Sequence, residues 1–266
     1  MKRKMENKIT IKVKIMEKKS IKKLGPAVIS ESGEYDSIKS MGPMTIEAPA
    51  VTANSLSAMG PATIEDSNLE IQEMKVQGPV TGSGSLTIGS LNINGPVKFS
   101  GDVVLSDAGK INGPIELEGS ISGNTEVSLK INGPFVADSV KEFDKVKING
   151  PVEAQSLTNI TNLKINGKVT SDEISVSDEL IISLNSGETK IGKITGGNRV
   201  EIGQRTGDGF FKNFFIKLNK PGYAIIDEIN STGTVELDHV KVNKVIAKEL
   251  FAGEETEIGE YIEIQD

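Results

Sequence analysis

The chain has no cysteine, no tryptophan and a single histidine among its 266 residues. Without cysteine it can form no disulfide framework, no zinc ribbon and no thiolate nucleophile. Only one residue, His239, could act as the histidine of a serine–histidine–aspartate mechanism. Aromatic residues are also few, with eight Phe and three Tyr. The core must therefore consist mainly of Ile, Val and Leu, which favours strands over helices.

Long apolar runs are missing as well. No window reaches the 18 apolar residues that a membrane-spanning helix needs. The basic N-terminus is followed by Ile9, Ile11, Val13 and Ile15, which alternate with polar residues instead of forming the continuous apolar stretch of a signal peptide. We therefore expect a cytoplasmic protein.

Charge is distributed unevenly along the chain. Residues 1–23 carry ten basic and two acidic side chains, whereas the other 243 residues carry 20 basic and 35 acidic ones. An acidic body argues against nucleic acid as a partner. The basic segment 1–23 has three interpretations. It is a solvated tail or a strand that pairs with or caps the first part of the fold, or it is attracted to anionic lipid headgroups through residues such as Lys2, Arg3 and Lys4. Nucleic acid is the third alternative for this segment, since ten basic residues could neutralise several phosphates.

An internal repeat is marked by the dipeptide Gly-Pro. Successive copies are 17 to 20 residues apart, and eight of the ten prolines belong to the series. A degenerate copy, Gly167-Lys168, follows the last of them. The eight copies begin at Gly25, Gly42, Gly60, Gly78, Gly95, Gly113, Gly133 and Gly150.

Apolar residues occupy fixed positions around this marker. They stand four and two residues before the glycine and two after it in nearly every copy, as do Leu129, Ile131 and Phe135 around Gly133. This spacing is typical of a strand with one buried face, and the proline marks a corner. Each repeat is thus one strand, a corner and room for two more short strands. The pattern predicts an all-β protein, a β-solenoid with one coil of 17–18 residues per repeat.

The aliphatic period of six residues that a left-handed hexapeptide helix requires is absent. We therefore predict a right-handed parallel β-helix. Its regular, Gly-Pro-marked coils cover residues 24–170, and residues 171–266 continue it less regularly around a Phe-rich insertion at 207–223. The strands predicted in this second part lie at Ile174 and Val176 and at Leu180–Leu184, Lys190–Ile194, Val200–Ile202, Ala224–Ile229, Val235–Val242, Val245–Leu250 and Glu257–Ile264.

The insertion contains half of the eight Phe residues. Phe210, Phe211, Phe214 and Phe215 would share one face of a helix. Three interpretations remain open: a cover for an open end or flank of the core, an interfacial membrane contact, or a self-association or other protein contact.

Chemistry-bearing motifs are absent, and one polar column stands out instead. There is no phosphate-binding loop and no calcium-binding nonapeptide, and the carboxylates fall at no fixed position in the repeat. We predict no catalytic residues, no cofactor and no metal.

Asparagine precedes the marker glycine in five successive coils, which predicts a ladder of bonded amides, with a polar strip for a ligand as the alternative. These residues are Asn94, Asn112, Asn132, Asn149 and Asn166.

The repeated Ile-Asn-Gly-Pro-Val unit, as at Ile148–Val152, resembles the bactofilins, above all the longer polymer-forming cytoskeletal members of this prokaryotic family. The opening segment from Ser32 to Ile38 and the closing segment Val235–Ile264 are similar to the ends of that longer group. The resemblance covers roughly residues 33–266. It implies a right-handed β-helix that joins end to end into nucleotide-free filaments, often at the membrane. Typical bactofilins have a shorter core and Pro-rich tails, from which this chain departs.

We therefore expect a non-enzymatic scaffold whose main partner is a second copy of itself. Peripheral contact with the inner face of the membrane is an additional hypothesis. The alternatives are a monomeric or dimeric β-solenoid that binds a protein or a membrane surface and, more remotely, a carbohydrate-active β-helix enzyme.

Overall fold

The computed structural model describes residues 18–185, 187–204, 222–253 and 255–265. Within these ranges all regular secondary structure consists of β-strands, and the strands pair in parallel. The chain winds through about 13 turns of ~17 residues, which confirms the predicted parallel β-solenoid. The 22 strands are β1 (Lys19–Lys23), β2 (Ala27–Ile29), β3 (Gly33–Ser40), β4 (Met44–Ile46), β5 (Ala50–Ala58), β6 (Ala62–Val76), β7 (Val80–Asn94), β8 (Val97–Ser100), β9 (Val103–Asn112), β10 (Ile115–Glu118), β11 (Ser120–Ser122), β12 (Ser128–Asn132), β13 (Phe135–Asn149), β14 (Val152–Asn166), β15 (Val169–Ser183), β16 (Glu188–Gly196), β17 (Arg199–Gly203), β18 (Tyr223–Ser231), β19 (Thr234–Leu237), β20 (Val240–Ala247), β21 (Glu249–Ala252) and β22 (Glu257–Glu263).

Each complete coil has three faces. In the coil that begins at Gly133, face A follows the Gly-Pro corner at residues 135–137, face B comprises residues 139–141, and face C comprises residues 145–149. The long strand β13 bends through all three faces and pairs with β14 on each of them. The single strand, corner and two further short strands predicted for each repeat are therefore present.

The core consists of side chains stacked in columns along the axis. On face C, Leu129 pairs with Val146 and Val146 with Leu163, and each of the three is at most 2% exposed. The intervening residues point outward, as the alternating burial of β13 and β14 shows. Each layer buries its inward side chains only against the layers above and below, so the fold needs many copies of the repeat.

Glycine at the corner lets successive layers approach closely. Gly150 has a φ of +156°, and a Cβ atom there would lie 2.3 Å from the carbonyl oxygen of Gly133. Proline next to it removes one N–H donor without ending the ladder. The Gly133 N–H donates to Asn149 O at 3.0 Å, and the Phe135 N–H donates to Pro151 O at 2.9 Å.

The corner column continues beyond Gly167 without its proline. Thr189 pairs with Ala224 in the inward column that follows the corner. Gly187 and Gly222 stand two residues before them, and so take the place of the marker glycine. Gly187 has a φ of +81°, a conformation that glycine adopts without strain.

The prediction of one strand over Val235–Val242 is wrong. β19 ends at Leu237 and β20 begins at Val240, and the two residues between them form a corner. His239 adopts a φ of +59° there, in the left-handed region that histidine enters more readily than most residues. The lone histidine is thus a corner residue, although the pattern predicts it within a strand.

The predicted strand Val245–Leu250 is likewise divided, because β20 ends at Ala247 and β21 begins at Glu249. β18 begins at Tyr223, the last residue assigned to the Phe-rich insertion. In the basic segment, residues 19–23 form β1, which pairs with β3 as part of the solenoid.

Candidate interaction surfaces

The contacts predicted from the sequence lie outside the described residues. These are Phe210, Phe211, Phe214 and Phe215 of the insertion and Lys2, Arg3 and Lys4 of the basic segment. Among the described residues, three other regions bring polar, charged or apolar side chains together. They are the outer surface of face C, a cluster around Arg199, and the last layer of the solenoid.

The asparagine ladder at the end of face C is confirmed. Each side-chain amide donates to the carbonyl oxygen of the residue one layer before it, starting with Asn94 and Gln77 at 2.9 Å. The ladder ends at Asn166, whose Oδ1 accepts no hydrogen bond from a described residue. The other donor–acceptor distances are 2.6 Å for Asn112 to Asn94, 2.6 Å for Asn132 to Asn112, 2.7 Å for Asn149 to Asn132 and 2.5 Å for Asn166 to Asn149.

A lysine ladder runs beside the asparagines, in the outward column two residues before them. The motif Lys-Ile-Asn-Gly, which starts at Lys110, Lys130, Lys147 and Lys164, places four of these lysines in consecutive layers. Seven of nine successive layers carry lysine at this position. In order, the column holds Lys22, Lys39, Ser57, Lys75, Asn92, Lys110, Lys130, Lys147 and Lys164.

Stacked lysines repel one another. Two unit charges at the interlayer spacing of about 4.8 Å repel by about 0.9 kcal/mol in water before screening by salt. Other columns of the solenoid avoid this cost by stacking opposite charges, as in Lys193–Glu228 at 3.5 Å and Lys98–Glu116 at 2.8 Å. The side-chain hydrogen bond to Glu116 and its charge raise the pKa of Lys98. By contrast, the four lysines of the Lys-Ile-Asn-Gly motif form no ion pair within the described part of the chain.

We define the face C strip as the outward residues of face C from Ser90 to Asn166. A groove of about 480 Å³ runs along it between two outward columns. Its walls include Ser128, Lys130, Lys145, Lys147, Asn162 and Lys164. The inward residues Leu129, Val146 and Leu163 also line it, together with Ala108 and Gly109, and Glu179 lines one end. The strip has 15 outward side chains, of which seven are Asn, five Lys, two Ser and one Ala, and it therefore contains no acidic or aromatic residue.

Beyond the strip, face C carries a cluster of one arginine, Arg199, and three glutamates. The guanidinium lies 3.2 Å from Glu236, 2.8 Å from Glu201 and 3.4 Å from Glu179. Partial burial lowers the Arg199 pKa, but the hydrogen bond to Glu236 and the three carboxylate charges outweigh it and raise the pKa overall. Glu179 also closes the groove of the strip at this end.

His239 stands near two carboxylates without forming a metal site. Its Nδ1 lies 3.1 Å from Asp238 Oδ1, at an angle that makes no hydrogen bond, and its Nε2 lies 3.8 Å from Glu255. No group of three His, Cys, Asp or Glu side chains within the described ranges could hold a metal ion.

Within the described ranges, the last layer of the solenoid, formed by β21 and β22, leaves part of the core uncovered. Its inward positions include Leu250, Ile258 and Tyr261, which continue columns that are buried in the layers below. Glu263 continues the column of the buried Ala247. Tyr261 is 40% exposed, whereas Val245 directly beneath it is fully buried. We call these strands the C-terminal layer. Among the described residues, none lies over it.

In its fold this chain belongs to the class of parallel β-solenoid proteins. No family model, no curated protein and no solved structure matches it. In the residues that the structure describes, no helix is long and apolar enough to cross a membrane.

The face C strip and the C-terminal layer are not among the sites predicted from the sequence. A signal for the strip is nevertheless present. Aligning the repeats on the marker glycine places lysine three residues before it in seven copies, from Lys22 to Lys164.

Proposed function

We propose that this protein is a non-enzymatic scaffold that assembles end to end, without nucleotide, into a polymer similar to those of the bactofilins. The observation that carries the proposal is the C-terminal layer, which no described residue covers. Unpaired parallel strand edges and half-exposed core residues form a surface that must be covered or paired. A second copy of the same chain is a partner that offers matching strands.

Continuing the solenoid from one copy into the next gives a definite register. The inward columns that end at the C-terminal layer begin in the first described layer, so Leu250 would stack on Ile21 and Ile258 on Ile29 of the next copy. Tyr261 shares its column with Gly33. Space around Gly33 is open, since a Cβ placed there meets no atom within 4 Å, and this leaves room for the tyrosine ring.

Charge complementarity supports the same head-to-tail arrangement. β1 has the sequence Lys-Ser-Ile-Lys-Lys, with three exposed lysines. The opposite end carries Glu249 on β21 and Glu257, Glu260 and Glu263 on β22. Glu257 and Glu260 form ion pairs with Lys241 and Lys244 of the layer below, so Glu249 and Glu263 supply the complementary charge. A head-to-tail contact between unlike ends is heterologous, and if it does not close on itself it produces a filament.

Sedimentation and negative-stain microscopy of the purified chain without nucleotide test the proposal. We expect pelletable filaments for the wild type and loss of pelleting for Tyr261→Asp, because an unpaired carboxylate buried at the junction should weaken association at least about 100-fold. Val136→Asp is the matched control. Val136 is also 40% exposed but lies on the side of the solenoid, so this variant should still pellet.

Mixing two variants tests the polarity of the contact. Ile21→Asp blocks only the first layer, and Tyr261→Asp blocks only the last. Head-to-tail assembly predicts that each variant alone is monomeric and that the mixture forms heterodimers, visible by analytical ultracentrifugation. A wild type that remains monomeric at high concentration would refute the scaffold proposal. Homodimers of either single variant would refute the head-to-tail polarity.

A further inference from the structure

We propose that the face C strip binds an extended acidic polysaccharide, a linear chain of sugars with one carboxylate on each residue. This inference does not depend on end-to-end assembly, because it concerns the side of the solenoid and not its ends. It rests on three properties of the strip: its uncompensated charge, its straight groove and the chemistry of its side chains.

The positive charge of the strip favours the binding of an external anion. Four lysines, Lys110, Lys130, Lys147 and Lys164, occupy consecutive layers. Lys145 lies beside Lys147 but forms an ion pair with Asp144 at 3.5 Å, so it does not add to the unpaired charge. None of the four forms an ion pair with another described residue, although the chain as a whole is acidic and pairs stacked charges elsewhere. Adjacent like charges across a sheet are destabilising, and a bound polyanion would relieve that cost.

The shape of the strip favours a straight chain as the ligand. The groove runs along the solenoid axis, and the lysine column presents one ammonium group per layer of about 4.8 Å. An extended chain of acidic pyranose sugars carries one carboxylate per sugar, and those on the side that faces the groove can pair with lysines of the column. Duplex DNA fits less well, because its phosphates advance about 3.4 Å per residue on each strand and wind around the helix axis.

The remaining side chains favour a sugar over a membrane or a nucleic acid. Within the ladder, Asn132 and Asn149 each retain one amide N–H and one carbonyl lone pair after their bonds along the stack, and both groups suit hydroxyls. Ser128 adds a hydroxyl to the groove wall. Interfacial membrane binding uses apolar side chains, and single-stranded nucleic acid binding uses aromatic ones for stacking. The strip has no aromatic residue, and Ala108 is its only apolar one.

Binding of oligogalacturonates of increasing length to the full chain, measured by isothermal titration calorimetry, tests this proposal. We expect affinity to rise with oligomer length and to fall steeply with salt. The triple variant Lys130→Gln, Lys147→Gln, Lys164→Gln should bind at least about tenfold more weakly, with a shallower salt dependence, because three exposed charge pairs are lost. Its thermal midpoint should be equal to or above that of the wild type, which shows that the fold is intact.

The matched control removes the same number of lysines from face A, where each has a glutamate partner. Lys98→Gln, Lys190→Gln, Lys241→Gln should bind the oligosaccharide as the wild type does. Equal losses in both variants would show that net charge, and not the strip, governs binding. Failure to bind galacturonate, whether or not anionic vesicles or single-stranded DNA bind instead, would overturn the proposal.

Discussion

Replacing one corner glycine with alanine should destabilise the solenoid by an amount that the geometry fixes. Gly150 is the most informative position, because it has layers above and below it and a φ of +156°. A Cβ atom there would lie 2.3 Å from the oxygen and 2.6 Å from the carbon of the Gly133 carbonyl, and 3.0 Å from the nitrogen of Pro134. All three are backbone atoms, so no side chain can rotate away to make room.

Two costs combine in Gly150→Ala. A non-glycine residue in this region of φ costs about 1–3 kcal/mol. Forcing adjacent layers apart to admit a methyl group costs about 1–3 kcal/mol more. The sum, about 2–6 kcal/mol, should lower the thermal midpoint by at least about 4 °C in a chain of this size.

Gly25→Ala is the matched control. Gly25 begins the same corner motif in the first layer, but a Cβ there meets no atom within 4 Å. Thermal unfolding followed by far-ultraviolet circular dichroism should therefore separate the two variants clearly. If Gly150→Ala melts within a degree or so of Gly25→Ala, close stacking of the corner backbone does not limit stability, and the reasoning fails.

Two further predictions concern polar contacts between layers. Asn132→Ala removes one donor and one acceptor from the asparagine ladder and should reduce the free energy of unfolding by about 1–3 kcal/mol, measured by urea denaturation. Asn162→Ala is the control, because Asn162 lies outside the ladder and its loss should have little effect. Equal losses of stability in the two variants would show that the ladder bonds contribute nothing specific. The hydroxyl and the backbone N–H of Ser120 both donate hydrogen bonds to Asp102. These bonds, the hydroxyl's being the stronger influence, lower the pKa of the Asp102 carboxyl below its ordinary value of 3.8. Ser120→Ala should raise the Asp102 pKa in an NMR titration, and Ser139→Ala, one layer on, should not. Because the folded-state pKa is the depressed one, the stability that Asp102 contributes is complete above its unfolded pKa and is lost as the pH falls through the folded value. A Ser120→Ala variant with wild-type stability at neutral pH and an unchanged Asp102 pKa would contradict this account.

The regular half of the fold could be predicted from the sequence because its local signals agree. Glycine, proline and the alternation of apolar residues all recur at one period, so the coil length and the three faces follow from the spacing. The second half is harder because its corners use other residues. No proline follows the glycine at Gly187 or Gly222, and the corner at Asp238–His239 has no glycine. The alternation of apolar and polar residues shifts by one position between Leu237 and Val240, and this shift is the only local sign of that corner.

The candidate surfaces were harder to predict for a different reason. A column of outward side chains arises only when the coils are stacked in register, so residues 17 to 20 positions apart become neighbours. Lys130, Lys147 and Lys164 look like scattered surface charges along the chain, and only the pairing of their strands makes them one ladder. The C-terminal layer depends on what lies above it in space, which a linear pattern does not contain.

The parallel stacking of complete coils also has a mechanical consequence. Hydrogen bonds between layers point along the axis, so tension on the two ends of the solenoid loads the layers in series. A single layer of ~17 residues has a contour length of roughly 60 Å but occupies only about 4.8 Å of the axis. Each layer that detaches would therefore lengthen the molecule by roughly 50 Å, while the layers still stacked keep their structure. The solenoid would behave as an extensible tether that yields in equal steps.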